Sequence, residues 1–202
     1  MPQFQNRRSF LRTGMPLIAG IGAGALAPWI WLRHWETVAT ANVQVDKNNV
    51  EQRIKDLGLE LPPPAKPVAV YVPAVITGNL LYTAGHIPWL ADGKMQVGRV
   101  GSDLTVEQGA AAARLVGLQI LTTLRQALGN LDRVSRLVKV LGMVNCTPDF
   151  TQQPKVINGF SELMVQVFGE QAGKGARSAV GMGSLPGNTP VEIEAIFEIR
   201  PS

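Results

Sequence analysis

Apolar residues recur at intervals of three and four along two stretches of the chain, which is the spacing of a helix with one buried face. The first helix is predicted to begin at a cap formed by Asp103 or Ser102 and to end at Gly129. The second is predicted to open at Pro148 and to close at Gly169. The apolar positions are Ala111, Leu115, Leu118, Leu121 and Leu124 in the first helix and Val156, Phe160, Leu163, Val167 and Phe168 in the second.

Five shorter stretches are rich in β-branched residues or alternate between apolar and polar residues, and these predict strands. In the last one, Glu192, Glu194 and Glu198 fall on one face and apolar residues on the other. The element order β-β-α-β-α-β-β predicts an α+β fold in which two helices cover one face of a mixed sheet. The uncovered face is left to solvent or to a partner, and its apolar strands favour oligomerisation. The predicted strands are Val68–Ile76, Leu80–Gly85, Val134–Val144, Ala176–Met182 and Pro190–Ile199.

A short helix and a stiff connector are predicted ahead of the first strand, within residues 42–67. Asn48 or Asn49 caps the helix Val50–Leu57, and the proline-rich stretch Leu61–Pro67 follows it. The main domain is accordingly placed at residues 68–202.

The first 41 residues have the order of a signal peptide: basic, then apolar, then polar with small residues at the end. The adjacent arginines Arg7 and Arg8, followed by Phe10, resemble a twin-arginine (Tat) signal, and a cut after Ala41 is expected. The alternative is an uncleaved anchor, because the apolar run 15–32 is just long enough to cross a bilayer. Both interpretations place the domain outside the cytoplasm, in the periplasm, with the Tat translocon as the partner during export.

Composition narrows the possible chemistry. The chain has 202 residues, 46% of them hydrophobic and 17% charged, which is typical of one globular domain. Residues 1–41 hold four arginines and one glutamate, so most of the net charge of +4 belongs to them. The nearly neutral remainder gives no reason to expect a nucleic-acid partner. One cysteine and two histidines exclude an intramolecular disulfide and a cysteine- or histidine-rich metal site.

Several short segments, in order along nearly the whole domain, resemble the Rid family of enamine/imine deaminases, the YjgF-like proteins. The resemblance implies a chorismate-mutase-like fold and a homotrimer with ligand clefts between subunits. It also implies hydrolysis of a small 2-imino or 2-enamino acid to the 2-keto acid and ammonia, without a metal or an organic cofactor. The matching segments are 71–75, 78–82, 84–88, 129–134, Ala176-Arg177-Ser178-Ala179-Val180, Leu185-Pro186 and Val191-Glu192-Ile193-Glu194-Ala195.

The resemblance assigns roles to residues of the predicted site. Arg177 would hold the substrate carboxylate, since guanidinium offers two parallel donors, although a surface ion pair is the plainer explanation. Glu194 would position the attacking water, unless it only forms the outer face of its strand. Tyr71, in the first strand, and Ser178 would contact the ligand, although a tyrosine at such a position is more often part of the core.

Two positions depart from the pattern of the deaminating members. Ala179 stands where many of them have a cysteine, and His86 stands where many have a glutamine. His86 is either a substrate-binding group or a structural replacement. These departures leave open a second function, in which a trimer binds a small carboxylate or protects other proteins without catalysis. A third possible function is that of a related trimeric hydrolase that acts on another carbonyl-nitrogen or ring substrate. The short helix and the long loop 88–102 indicate an elaborated, exported subgroup.

Overall fold

The computed structural model describes residues 49–64 and 69–201 of the chain. The predicted signal segment, 1–41, lies outside the described residues, as does the part of the connector at 65–67. No helix in the described ranges is both long enough and apolar enough to cross a membrane.

The elements follow the predicted order β-β-α-β-α-β-β after one leading helix, which confirms the α+β fold. Single 3-10 turns lie at Leu131–Arg133 and Pro186–Asn188. The helices and strands are α1 (Val50–Asp56), β1 (Ala74–Thr77), β2 (Leu80–Thr83), α2 (Val106–Leu128), β3 (Val134–Asn145), α3 (Gln153–Gly173), β4 (Ala176–Met182) and β5 (Val191–Ile199).

The strands form one mixed sheet in the order β1-β2-β5-β3-β4, in which only β3 and β4 run parallel. On one side, here called the helix face, α2 and α3 cover the sheet. Val140 of β3 lies opposite Ala195 of β5, and both belong to the buried core with Ile120 of α2 and Phe160 of α3. The other side, here called the open face, bears Glu194 and has no covering element among the described residues. The prediction that two helices cover one face is confirmed.

The start of α2 differs from the prediction. Thr105 is the N-cap: its hydroxyl accepts from the Gln108 N–H at 3.2 Å, and the Gln108 side chain accepts from the Thr105 N–H at 2.8 Å. Asp103 instead accepts from the Arg99 N–H at 2.9 Å in the preceding turn, so its assignment as the cap was wrong. The predicted end is confirmed, because Gly129 adopts a left-handed φ of 77° there.

The ends of α3 also differ. Phe150 N–H donates to the Thr147 carbonyl at 3.1 Å, so the residues after Pro148 form a turn and the helix begins at Gln153. Gly169 does not end the helix: its φ of 82° and ψ of 168° interrupt it, and helical structure resumes up to Gly173.

Strand β1 begins at Ala74, six residues later than predicted. Ala74 pairs with Thr83, the last residue of β2. The Pro73 carbonyl still accepts a hydrogen bond from Ala84 N–H at 2.9 Å. Because proline has no N–H to donate in the other direction, the pairing of β1 with β2 ends there. Tyr71 therefore lies in a bend ahead of the strand, and its predicted place within the strand is wrong.

Helix α1 is fastened to the rest of the domain by three side chains, here called the α1 anchor: Glu51, Arg125 and Asp132. Arg125 donates to both Glu51 carboxylate oxygens, at 3.1 and 2.6 Å, and Leu131 N–H donates to the same carboxylate at 3.1 Å. Asp132 accepts from the first N–H of the helix, that of Val50, at 2.5 Å. This short helix is thus held by specific bonds rather than by its own propensity.

Candidate functional site

Arg177 lies on the edge strand β4 and faces the helices. Its partner across the parallel pairing is Val140, a buried residue of the helix face. Its Nη1 donates to Asn158 Oδ1 and to Ser161 Oγ on α3, both at 2.9 Å. Nε and Nη2 have no hydrogen-bond partner within residues 49–64 and 69–201. One nitrogen is thus fixed by the protein, and the edge of the guanidinium formed by the other two is available to a ligand.

A concavity of about 620 Å³ adjoins Arg177, which is within the size range of small-molecule sites. Glu162 and Gln166 of α3 line it, and Lys174 lines it in an ion pair with Glu170. Because Lys174 is already paired, Arg177 is the lining cation best placed to attract an anionic group.

Ala179 lies two residues beyond Arg177 and on the same face, opposite Gly142 of β3. It is partly buried against the core. The position where a thiol is expected in many deaminating members of the Rid family is thus beside Arg177, and here it holds only a methyl group.

Ser178 points the other way. It lies opposite Leu141, which pairs with Glu194, so all three share the open face. Its hydroxyl accepts a hydrogen bond from Lys139 Nζ at 2.9 Å. Arg177 and Ser178 are neighbours in sequence, but their side chains are separated by the sheet.

Two glutamates of β5 share the open face and differ in environment. Glu194 is exposed, whereas Glu192 is half-buried opposite Met143. Burial raises the pKa of Glu192, and the negative charge of Glu194 raises it further. A Cβ at position 85 would overlap the Glu192 carboxylate, so glycine at that position makes room for it.

Sequence reasoning selected Glu194 and missed Glu192 as a candidate for proton transfer. Alternation along the strand places both on one face, and nothing in the strand itself distinguishes them. The distinguishing signal is Gly85, a residue of another segment that lies against Glu192. A glutamate with a raised pKa is the better candidate for a group that takes up and returns a proton.

His86 is buried, with 8% of its surface exposed, and both ring nitrogens have partners within the chain. Nδ1 lies 2.8 Å from the Ala84 carbonyl and Nε2 lies 2.8 Å from Thr123 Oγ1 of α2. A carbonyl only accepts, so Nδ1 bears the proton and Nε2 accepts from the threonine hydroxyl. Burial lowers the pKa of the ring, although the bond to Ala84 opposes that shift, and the neutral form is favoured. This arrangement fits the structural interpretation of His86 better than contact with a substrate.

Tyr71 and Arg177 lie at opposite edges of the sheet. Tyr71, 46% exposed, precedes the edge strand β1, and Arg177 belongs to the other edge strand, β4. One copy of the chain thus brings Glu192, Glu194 and Ser178 together on the open face but places Arg177 on the helix face and Tyr71 at the far edge. No group of three or more possible metal ligands (His, Cys, Asp or Glu) is found in the part of the chain that the structure describes.

Comparison with known proteins agrees with this architecture. The family described as "YjgF/chorismate_mutase-like, putative endoribonuclease" matches residues 51–195. The chain is 42% identical to "Protein TCP17" of Trypanosoma cruzi over 156 residues, which cover 77% of this chain and 98% of that protein.

Solved structures also resemble it, among them two with clear sequence identity. One is the protein Atu1372 of unknown function from Agrobacterium tumefaciens, with 44% identity, a TM-score of 0.68, and coverage of 76% of this chain and 96% of that one. The other is a "putative endoribonuclease" from Shewanella oneidensis MR-1, with 34% identity, a TM-score of 0.71, and coverage of 75% and 100%.

Proposed function

Because this chain belongs to the YjgF/chorismate-mutase-like family, we propose that it hydrolyses a small 2-imino or 2-enamino acid to the 2-keto acid and ammonia. The main observation in support is Arg177, whose guanidinium is fixed on one side by α3 and free on the other beside a concavity of substrate size.

Arg177 holds the substrate carboxylate in this proposal. Asn158 and Ser161 bind Nη1 and so fix the plane of the guanidinium. The remaining edge, Nε and Nη2, matches the two oxygens of a carboxylate, and a paired bond of this kind fixes orientation as well as position. A lysine at this position would keep the charge and lose that geometry.

Glu192 positions the water. As the carboxylate it takes a proton from the water while the water oxygen bonds to the imine carbon. It returns the proton to the nitrogen, which gives an amino alcohol. The carboxylate then takes the hydroxyl proton and passes it to the same nitrogen, so that ammonia leaves as the carbon–nitrogen bond breaks and the keto group forms. The raised pKa of Glu192 suits this double role, because the proton it accepts is held more readily than on an ordinary glutamate.

These two groups lie on opposite faces of one sheet, so the complete site requires more than one copy of the chain. Apolar residues lie near both edges of the open face: Val75, Tyr82 and Ile196 are neighbours across β1, β2 and β5, and Met143 of β3 lies opposite Val180 of β4. Charged residues separate the two sets, since Lys139 lies opposite Ile196 and Glu192 lies opposite Met143. We propose that this face packs against other copies in a homotrimer, as the resemblance to the Rid family implies. Clefts between subunits would then bring an Arg177 to a Glu192.

The test is the release of ammonia and keto acid from freshly generated 2-iminopropionate by the purified protein. We expect activity in the wild type, its loss in Arg177→Ala, and normal activity in Arg200→Ala, which removes an exposed arginine just after the end of β5. Full activity in Arg177→Ala contradicts the assignment of this residue. A wild type that turns over no member of a panel of imino acids contradicts the proposed reaction.

The competing proposal is a trimer that binds a small keto acid without catalysis. It is favoured by Ala179, which leaves no thiol beside Arg177. Calorimetric titration with pyruvate and 2-oxobutyrate distinguishes the two. Binding that requires Arg177, in a protein that turns over no imine, supports the competing function.

Export through the Tat pathway stays a separate proposal, based on Arg7 and Arg8 in the sequence. Replacing both by lysine should retain the protein in the cytoplasm of an expressing bacterium, as followed by fractionation. Unchanged export of that double variant contradicts the proposal.

A further inference from the structure

A second concavity lies against α2 and shares no lining residue with the one at Arg177. We call it the proline groove. Its volume is about 610 Å³, which is again within the range of small-molecule sites. One wall is the connector Glu60–Pro64, the other is the loop Trp89–Gly93, and the floor is formed by Leu115, Leu118 and Gln119 of α2.

Hydrogen bonds hold both walls in place. Thr122 of α2 donates to the Pro62 carbonyl at 2.8 Å, which fixes the connector, and consecutive prolines stiffen it further. In the loop, Leu90 N–H donates to the Lys94 carbonyl at 2.8 Å and Gly93 N–H to the Leu90 carbonyl at 3.0 Å. A ligand that enters a groove with fixed walls loses little binding energy to their ordering.

The lining is mostly apolar and offers few hydrogen-bond donors. The three prolines have no N–H at all. The side-chain amide of Gln119, in the orientation that satisfies it, donates to the Ile87 carbonyl at 3.1 Å and accepts from Trp89 N–H at 3.0 Å. It is therefore already used within the protein, and the groove is poorly suited to a ligand that presents a carboxylate or another acceptor.

Glu60 gives the groove its charge. Its carboxylate has no hydrogen-bond or ion-pair partner within the described ranges 49–64 and 69–201. Trp89 lines the opposite wall, and the face of an indole attracts a cation. An exposed, unpaired carboxylate on one wall and an indole on the other together favour a ligand with a positively charged head on an apolar body.

We propose that the proline groove binds a small apolar amine, such as an arylalkylamine, with its ammonium group at Glu60 and its ring between the prolines and Trp89. This ligand class is opposite in charge to an imino or keto acid. The groove is thus a site of its own, and the proposal does not depend on the reaction at Arg177.

Trp89 also provides the readout. The other tryptophans, Trp29, Trp31 and Trp35, are all in the first 41 residues. A full-length variant with these three changed to phenylalanine has Trp89 as its one tryptophan, so its fluorescence reports on the groove. The probes are 2-phenylethylamine, 2-phenylethanol and phenylacetate, which share a ring and differ in charge.

We expect a saturable change in Trp89 emission with the amine, binding about fivefold weaker or worse with the alcohol, and no saturable change with the acid. Glu60→Gln should weaken amine binding by about fivefold and leave the alcohol unchanged. Asp149→Asn, which removes the same charge from an exposed position outside the groove, should have no effect on either. Equal binding of the three probes, absence of saturable amine binding, or an equal effect of Glu60→Gln and Asp149→Asn would overturn the proposal.

Discussion

The α1 anchor gives a stability prediction whose size follows from its geometry. Glu51→Ala removes three acceptor contacts, two to Arg125 and one to the N–H of Leu131. A buried hydrogen bond to a charged group contributes about 1.5–3 kcal/mol. The side chains of Glu51 and Arg125 are 23% and 38% exposed, so water offsets a large share of that. We expect a total loss of about 2 kcal/mol, which for a domain of this size lowers the melting temperature by roughly 4–8 °C.

The chain offers a matched control. Glu170 forms an ion pair with Lys174, but the two side chains are 68% and 66% exposed, and Glu170→Ala should change the unfolding free energy by less than about 0.5 kcal/mol. Glu51→Gln keeps an acceptor and loses the charge, so its effect should fall between the two. The assay is urea unfolding followed by far-UV circular dichroism at one fixed protein concentration, because assembly also contributes to stability. If Glu51→Ala and Glu170→Ala destabilise equally, α1 is not held by this carboxylate.

The remaining predictions concern charge, pH and assembly. Glu192→Gln should lower kcat for 2-iminopropionate by about 100-fold or more, whereas Glu194→Gln should remain active. Removal of the Glu194 charge lowers the pKa of Glu192, so the acid limb of the plot of kcat against pH should move to lower pH in Glu194→Gln. If Glu194→Gln loses more activity than Glu192→Gln, Glu194 is the acting carboxylate instead. The pKa of His86 is lowered in the folded state, so the unfolded state binds the proton first and stability should fall as the pH drops below the ordinary value of 6.5. His86→Gln keeps a donor and an acceptor but does not titrate, so the melting temperature of this variant should depend less on pH between about pH 5 and 8. An unchanged dependence on pH would show that His86 does not cause the loss of stability. Val180→Asp places a charge beside Met143 on the open face and should reduce the mass measured by light scattering. An unchanged mass would exclude this part of the face from the interface.

Local patterns were enough to predict most of the fold. The alternation along β5 and the β-branched residues of β3 predicted both strands within a residue or two, and Gly129 marked the end of α2. The starts of elements were less accurate where several residues could act. Ser102, Asp103 and Thr105 are all good caps, and the choice of Thr105 depends on Gln108 completing the capping box.

The candidate site was less predictable because it depends on which strands are neighbours. Nothing near Arg177 in sequence indicates that Val140 lies opposite it, and that pairing turns its side chain toward α3 and away from the glutamates. The half-burial of Glu192 likewise depends on Gly85, more than 100 residues earlier in the chain. A motif located Arg177, whereas the choice of Glu192 over Glu194 and the directions of both side chains depend on the assembled sheet.

The interruption at Gly169 separates two parts of α3 that lie in different surroundings. Up to Phe168 the helix packs into the core, where Phe160 and Leu163 are fully buried. Beyond Gly169, its last turn contributes Glu170 and Gly173 to the rim of the Arg177 concavity instead. That turn is still tied to the packed part, because Gly173 is buried and a Cβ at this position would overlap the Met164 carbonyl. The exposed Glu170 can therefore change with the ligand, whereas Gly173 can change only if the packed part of the helix moves as well.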